Sequence, residues 1–248
     1  MKRVSWLPVA LMLLAGVERV ASAAEYPEEY TQRPQTLPEK MVELRSGVAL
    51  DLSAGRAVTP VVDVGFRWGV TDMFELGVHA AFVSMSSSLV TTQGLSARGI
   101  LWHSDNASLS LAGGANVTRF AENAYHADAA ASLDFYVRAG ERFATRTGVR
   151  VSNPLSYRSA FFDTYGVYVE PSVNITSSFA TFLRLESTAA FSDFETTRGG
   201  LSVGAIYTLD TRFDFGASFA LPGLVSSEGL KGEARGVSAT FRWRLDAR

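Results

Sequence analysis

Hydrophobic and polar residues alternate one by one along most of this chain after residue 41. Residues 234–245 show the pattern most clearly, with Val237, Phe241 and Trp243 on one face and Arg242 and Arg244 on the other. A period of two is that of a β-strand whose two faces meet different surroundings. An aromatic face and an arginine face suit a wall between lipid and water, which indicates a transmembrane strand.

The same alternation predicts twelve strands. They cover residues 41–52, 58–68, 74–85, 95–103, 107–118, 127–138, 142–152, 164–175, 179–190, 199–208, 212–221 and 234–245. The odd-numbered links are longer: 53–57, 86–94, 119–126, 153–163, 191–198 and 222–233. The even-numbered links are mostly three-residue turns: 69–73, 104–106, 139–141, 176–178 and 209–211. Long and short links in alternation, with an even strand count, predict an all-β fold, a transmembrane antiparallel up-and-down β-barrel with both termini periplasmic, over residues 41–245.

A secreted β-sandwich would alternate in the same way, because one face of each sheet is buried. Two features weigh against it. Most of the predicted strands have ten to twelve residues, which matches a tilted membrane span of about 9 to 11 residues better than the globular average of about 5 to 6. The polar faces are also rich in Arg, Asp and Glu with almost no Lys, which is unlike a soluble surface.

Residues 1–23 are typical of a cleaved secretory signal peptide, with Lys2 and Arg3, an apolar core at 9–17 and small residues at the cleavage site. A retained helix would need roughly 20 apolar residues to span a membrane, so export is favoured. Residues 24–40 hold three prolines and four glutamates without periodicity. We predict a flexible periplasmic segment there, or one that folds into the lumen.

Composition narrows the class of protein further. The chain has no cysteine, so it has neither a disulfide scaffold nor a lipid-modified cysteine. Removal of Lys2, Arg3, Arg19 and Glu18 with the signal leaves 20 basic and 24 acidic residues, a formal charge of −4. This balance argues against nucleic acid as a partner. The chain contains no run of 18 apolar residues, so its sequence does not predict a helical membrane protein.

The inward face carries many charges of both signs. The predicted inward arginines are Arg45, Arg67, Arg98, Arg138, Arg142, Arg146, Arg150, Arg184, Arg242 and Arg244, and the acids are Glu43, Asp51, Asp63, Glu75, Asp128, Asp134, Glu170, Glu186 and Asp214. As pore-lining residues we predict Arg45, Asp63, Arg67, Glu75, His79, Asp134, Arg142, Arg146, Arg150, Glu170, Arg184, Glu186, Arg242 and Arg244. Arg142, Arg146 and Arg150 would form a row that guides anions. Alternatively, the acids neutralise these arginines and salt bridges close the lumen.

Residues that oppose each other across a hairpin must face the same side, which fixes the expected pairs. Turns centred on Thr71, Gly140 and Ser177 pair Arg67 with Glu75, Asp63 with His79, Asp134 with Arg146, Arg138 with Arg142, and Glu170 with Arg184. Three of these pairs are of opposite charge, which supports the register.

Outward aromatics cluster near the strand ends at the short turns, where an interfacial girdle belongs. The predicted girdle is Trp68, Phe74, Phe143, Phe179, Tyr207, Phe213, Phe241 and Trp243, with Phe82, Tyr165 and Phe219 at the other interface. The three histidines, His79, His103 and His126, are spread over a strand, a turn and a loop. We therefore expect no metal, no cofactor and no catalytic residues.

Residues 65–78 (GFRWGVTDMFELGV) resemble a strand, Thr-Asp turn and strand that is frequent in small porin-like or transporter-like outer-membrane barrels. Residues 37–50 resemble the start of the first strand in these proteins, among which is a family associated with the uptake of aromatic compounds. The resemblance implies a bacterial outer-membrane barrel and carries over no site residue.

The leading hypothesis is a channel for passive diffusion of small polar or anionic solutes in the outer membrane of a Gram-negative cell. The second is a closed barrel that acts as a structural or interaction protein through its loops. A membrane enzyme would need a nucleophile and a base at the lipid boundary, and His79 is predicted on the other side. Expected partners are outer-membrane lipid or lipopolysaccharide, the barrel-assembly machinery through the C-terminal strand, and small solutes.

Overall fold

The computed structural model describes residues 20–21, 26–55, 57–85, 88–121, 124–156, 164–191, 193–226, 229–230 and 234–247. Within these ranges, twelve long strands follow one another along the chain. They are β1 (Met41–Asp51), β2 (Thr59–Thr71), β3 (Phe74–Met85), β4 (Ser88–His103), β5 (Ala107–Ala121), β6 (Ala124–Ala139), β7 (Phe143–Pro154), β8 (Thr164–Thr176), β9 (Phe179–Ala190), β10 (Asp193–Thr208), β11 (Phe213–Ser226) and β12 (Gly236–Ala247).

The strands close into one barrel. Each pairs antiparallel with its neighbours in sequence, and β12 pairs with both β11 and β1. Two-residue strands at Val20–Ala21 and Gly229–Leu230 add to β12 and β11. The predicted twelve-stranded antiparallel barrel is confirmed. No helix in the described part of the chain is long and apolar enough to cross a membrane.

The alternation of side chains separates an apolar outside from a polar inside. Val62 and Val64 point outward from β2 and are exposed, whereas Asp63 between them faces inward. At the inner face, Glu43, Asp134 and Arg244 are almost completely buried. Burial of charged groups inside and exposure of valine and leucine outside is the reverse of a soluble protein, and it is the arrangement that lipid requires.

The two ends of the barrel differ. The turn end carries the short connections 72–73, 104–106, 140–142, 177–178 and 209–212, and the loop end is the opposite one. Several predicted long loops are partly strand, since β4 begins at Ser88, β5 and β6 reach Ala121 and Ala124, and β10 begins at Asp193. These extensions carry polar residues on both faces, so alternation does not reveal them, but their backbones still pair.

Some predicted segments lie outside the described residues. They are the signal peptide at residues 1–19 and 22–23, the start of the predicted periplasmic segment at 24–25, and parts of the predicted loops at 56, 86–87, 122–123, 157–163, 192, 227–228 and 231–233.

The predicted register is wrong by two residues in two hairpins. Arg67 opposes Gly77 rather than Glu75, and Asp63 opposes Ala81 rather than His79. Between β6 and β7, the same shift affects the pairs predicted for Asp134 and for Arg138. Asp134 opposes Gly148 instead of Arg146, and Arg138 opposes Ala144 instead of Arg142. A shift of two keeps every side chain on its predicted face, so facing alone does not detect it.

Residues 26–40, called here the luminal segment, fold into the turn end of the barrel. The segment contains a single turn of 3₁₀ helix at Tyr30–Gln32 and then runs to the start of β1. Tyr26 and Leu37 of the segment form a small buried apolar cluster with Met41 of β1. Residues 26–40 thus lie against the inner face of the barrel wall.

Candidate functional site

The luminal segment is bound first to the wall at β6, β7 and β8. Thr31 is fully buried, and its backbone N–H donates to Asn174 Oδ1 at 3.3 Å while its hydroxyl donates to the Glu141 carbonyl at 2.9 Å. The Tyr136 hydroxyl donates to the Thr31 carbonyl. Gln32 Nε2 adds a 2.7 Å bond to the same Glu141 carbonyl. The segment is thus fixed to one side of the turn end.

Arg33 crosses to the opposite wall. Its guanidinium binds both carboxylate oxygens of Asp214, with Nη1 to Oδ2 at 2.6 Å and Nη2 to Oδ1 at 3.0 Å, and it donates to Thr208 Oγ1 at 2.9 Å. The ring of Tyr26 lies 5.4 Å from the guanidinium carbon, within cation–π range. A bidentate, buried arginine pair of this kind holds its two elements strongly.

A third set of contacts lies at β2 and β3. The Leu37 N–H donates to Glu75 Oε2 at 2.9 Å, and the Lys40 N–H donates to the Gly69 carbonyl at 2.7 Å. A side chain at Gly69 has no room, because a Cβ there would lie 2.6 Å from the Leu37 carbonyl oxygen and nearer still to that of Pro38. Glycine at this position lets the segment lie directly on the wall.

Six charged side chains form a continuous ion-pair chain at the turn end. In order, the chain consists of Arg33, Asp214, Arg244, Glu43, Arg67 and Glu75. Within it, Arg244 lies 3.0 Å from Glu43, and Arg67 lies 2.6 Å from Glu43 and 3.1 Å from Glu75. Three arginines and three carboxylates balance in charge. Both ends meet the luminal segment, at Arg33 and at the Leu37 N–H.

Ion pairs higher in the lumen are longer or more open to solvent. Arg184 lies 3.3 Å from Glu170 and 3.1 Å from Glu186, and its guanidinium stacks 4.1 Å from the Tyr168 ring. Other pairs join Arg98 to Asp134 at 3.5 Å and Arg45 to Asp63 at 3.6 Å. The predicted pair of Glu170 and Arg184 forms. Arg67 and Glu75 also form a pair although their strands are shifted.

Four inward arginines, Arg138, Arg146, Arg150 and Arg242, have no carboxylate within salt-bridge distance among the described residues. Arg146 instead lies over the Tyr136 ring at 5.9 Å. Arg142 lies in an exposed turn before β7, so the predicted row of three arginines on that strand is reduced to Arg146 and Arg150.

The lumen contains open space at three levels. A chamber of about 570 Å³ lies directly above the luminal segment, and its lining includes seven arginines and four carboxylates. A cavity of about 260 Å³ lies below, towards the turns, and a vestibule of about 600 Å³ opens at the loop end. Four residues line both the chamber and the lower cavity, namely Arg33, Pro34, Gln35 and Tyr136. The luminal segment therefore forms most of the partition between them.

The predicted pore-lining residues are distributed unevenly over these spaces. The chamber is lined by Arg45, Asp63, Arg67, Glu75, His79, Arg146, Glu170, Arg242 and Arg244. Glu186 lines the vestibule. Asp134 is buried in the wall, where it accepts a hydrogen bond from the Tyr168 hydroxyl at 2.7 Å. Arg150 and Arg184 lie on inward positions of β7 and β9 outside the residues that line these three spaces.

Sequence reasoning missed the contribution of the luminal segment to the chamber. Tyr26, Tyr30, Arg33, Pro34 and Gln35 all line it. The available signal was the density of tyrosine, arginine and glutamine in a stretch that is too rich in aromatic residues for a simple solvated linker.

The aromatic and histidine predictions have separate outcomes. Trp68, Phe74, Phe143, Phe179 and Tyr207 are exposed on the outer surface near the turn end. There the ring of Phe213 stacks 6.0 Å from Phe241 and 6.2 Å from Trp243. His79 lines the chamber and His103 the lower cavity.

No protein-family model and no curated protein sequence matches the chain. Its fold is similar to that of the COG4313 outer-membrane channel from Pseudomonas putida F1, with a TM-score of 0.65, 11% identity, and 90% of this chain and 99% of that chain covered. It is also similar to the KdgM porin (TM-score 0.61, 7% identity, 81% and 98% covered) and the NanC porin (0.59, 9%, 82% and 98%). The fold is therefore that of a small outer-membrane barrel.

Proposed function

We propose that this protein is an outer-membrane channel for passive diffusion of small polar or anionic solutes, with the luminal segment as its resident plug. The observation that carries the proposal is the open space inside a closed barrel. Side chains fill the interior of many small barrels, whereas this lumen keeps a chamber of about 570 Å³ and a vestibule of about 600 Å³.

The outer surface supports a location in the membrane. Exposed valine, leucine and aromatic side chains cover the strand positions that alternate with the charged inner ones. Such a surface would make a soluble protein aggregate, but it is matched to lipid. We place the turn end in the periplasm, where barrels of this type have their short connections and their termini.

The charge of the chamber supports an anionic cargo. Its lining has three more arginines than carboxylates, and Arg146 and Arg242 have no carboxylate partner among the described residues. A fixed excess of positive charge in a narrow lumen attracts anions and repels cations. A fold neighbour, the KdgM porin, has been solved with disordered oligogalacturonate, a carboxylated sugar. We assign no enzymatic activity to the chain.

The plug must shift for a solute to pass, because it forms the partition between the chamber and the lower cavity. Gly69→Ala tests this point directly. The added methyl group would collide with the backbone carbonyls of Leu37 and Pro38, which are not free to rotate away, so the segment is pushed off the wall. Gly65→Ala is the matched control on the same strand and face, where the nearest atoms are 3.5 Å and 3.6 Å away.

The measurement is single-channel conductance of the purified protein in planar bilayers. We expect small or rare current steps for the unchanged protein, larger or more frequent steps for Gly69→Ala, and no change for Gly65→Ala. Arg146→Glu should shift the reversal potential in a salt gradient towards cations. Silent membranes for both the unchanged protein and Gly69→Ala would contradict the channel.

The salt-bridged turn end favours one second candidate, a permanently closed barrel that acts through its outer loops. Its predicted working surface is the pair of links at 153–163 and 222–233. Silent membranes in the experiment above would leave this candidate standing.

A further inference from the structure

The structure assigns a binding site for a small hydroxylated carboxylate to the floor of the chamber, formed by Gln35, Arg98 and Arg146. The site gives the solute of the proposed channel a chemical class. It rests on that proposal only where the bound ligand is identified with the transported solute. The binding itself is a separate property of the lumen.

Gln35 is the first observation. Its side chain is 97% buried within the barrel, yet neither its amide nitrogen nor its amide oxygen has a hydrogen-bond partner among the described residues. A buried amide without partners costs about 1 to 3 kcal/mol. A leucine would pack there without this cost, so the polar side chain indicates a purpose other than stability of the fold.

Two arginines on the wall show the same feature. The Nε atoms of Arg98 and Arg146 are buried and have no hydrogen-bond partner among the described residues. Arg98 is adjacent to the segment, since its Nη1 donates to the Gln35 carbonyl at 3.2 Å. Its contact with Asp134 is long, at 3.5 Å, and Arg146 lies over the Tyr136 ring. Gln35, Arg98 and Arg146 all line the chamber.

The donors and the acceptor define the ligand. The N–H groups of three unpartnered nitrogens, two of which belong to cations, suit a carboxylate, which accepts several hydrogen bonds and neutralises charge. The unpartnered Gln35 oxygen needs a donor, and a hydroxyl group on the same ligand supplies one. The chamber volume of about 570 Å³ falls within the range of about 300 to 1,000 Å³ usual for small-molecule sites. A sugar acid and a hydroxylated aromatic acid both satisfy this description.

The position of the site gives it a consequence for transport. Gln35 belongs to the partition between the chamber and the lower cavity, whereas Arg98 and Arg146 belong to the barrel wall. A ligand that bridges the two stabilises the docked state of the segment, because only that state presents both halves of the site. The solute is thus held at the partition until the segment moves.

Equilibrium dialysis with the detergent-solubilised full barrel tests the site. The probes are D-glucuronate and 4-hydroxybenzoate, with D-glucose and phenol as analogues that lack the carboxylate and benzoate as one that lacks the hydroxyl group. We expect saturable binding of at least one hydroxylated carboxylate and none of D-glucose or phenol. The preference between the two probes distinguishes a sugar acid from an aromatic acid.

Matched variants make the result specific. Arg146→Gln and Gln35→Leu should each weaken binding about tenfold or more, the loss expected for a charge-assisted or buried hydrogen bond. Arg142→Gln removes the same charge from an exposed turn, and Gln93→Leu makes the same change on the outer face of β4, so both should bind as the unchanged barrel does. Gln35→Leu should also melt no lower than the unchanged barrel, which separates binding from folding.

A dissociation constant of about 1 mM is the weakest that would hold a solute usefully. Absence of saturable binding at probe concentrations about tenfold above this value would overturn the site. Binding that survives Arg146→Gln and Gln35→Leu would overturn it as well. Conductance measured on the same preparations separates the two proposals. Current without binding would support the channel and contradict the site. Binding without current would support the site and contradict the channel.

Discussion

The turn half and the loop half of the lumen use polar side chains in different ways. In the turn half, Glu43, Asp214 and Arg244 are each no more than 2% exposed and belong to one ion-pair chain. In the loop half, inward hydroxyl groups pair across strands, as Thr92 does with Thr118 at 2.9 Å, and a vestibule remains open. The inner surface is therefore joined by ion pairs at the turn end and lined by paired hydroxyl groups at the loop end.

The difference follows from the kind of polar group that each half contains. Buried charges are tolerated only where each has an opposite partner at short distance, so the charged groups of the turn half are held in a fixed arrangement. Paired hydroxyl groups lose little free energy when water replaces one partner, so they do not require a fixed arrangement. The alternatives that the sequence left open, a charged path or a salt-bridged closure, therefore both describe this lumen, at different heights.

The largest expected effect is on the stability of the turn half. Glu43→Gln leaves Arg67 and Arg244 without their shared carboxylate, which for a buried pair costs about 3 to 5 kcal/mol. Asp128→Asn is the matched change in the loop half, where Asn116 still has an oxygen to donate to, and we expect a loss of about 1 kcal/mol or less. Urea unfolding in phospholipid vesicles gives both values, and equal losses would remove the distinction between the halves.

A second test fixes the partition in place. The side chains of Thr31 and Asn174 touch, with Oγ1 and Nδ2 2.6 Å apart, and the chain has no other cysteine to interfere with a new pair. In the Gly69→Ala background, Thr31→Cys with Asn174→Cys should lose the added conductance on oxidation and regain it with dithiothreitol. Each single cysteine variant is the control. A conductance that is unchanged by disulfide formation would mean that solutes do not pass the segment.

A smaller effect is expected when one anchor of the segment is removed. Arg33→Met deletes its bonds to Asp214 and Thr208, although Asp214 keeps Arg244, and we expect docking to weaken by about 2 kcal/mol. Hydrogen exchange of the amides of residues 31–40 should accelerate accordingly. Lys40→Met, which removes only an exposed 3.7 Å contact with Glu39, should leave the exchange unchanged. Similar exchange in both variants would contradict the anchor.

The smallest effects compare one substitution in the two halves. Thr208→Val removes an acceptor for Arg33 and a donor to Asp214 in a site that is 2% exposed, and we expect a loss of about 2 kcal/mol. Thr92→Val breaks a single hydroxyl pair in the loop half, at a cost of about 0.5 kcal/mol. Thermal melting of the two variants in the same detergent checks the order, and a larger loss for Thr92→Val would reverse the comparison.

Alternation predicted the barrel and the strand number, because period two is a local property, but it did not show that Arg142 lies in an exposed turn rather than on a strand. Register was predictable only where the turn was read correctly. The hairpin around Ser177 has the predicted pairing, whereas those around Thr71 and Gly140 are shifted by two. A shift of two leaves each charge on the same face, so only the structure shows that Asp134 opposes Gly148.

The contacts of the luminal segment were beyond sequence reasoning for another reason. Its residues have no period, and their partners are remote in the chain, as with Arg33 and Asp214, which are 181 positions apart. Nothing local to residues 26–40 indicates which wall each side chain meets. The site at Gln35, Arg98 and Arg146 depends on the same long-range placement.

The ion-pair chain also sets an order of events during assembly. The luminal segment precedes β1 in the chain, yet Arg33 binds Asp214 on β11, and Arg244 on β12 joins Asp214 to Glu43 on β1. Arg33 and Glu43 therefore lack these two partners until β11 and β12 are in place, although other residues of the segment contact β2, β3 and β8. The buried ion-pair chain is complete only once β12 has paired with both β11 and β1 and so closed the barrel.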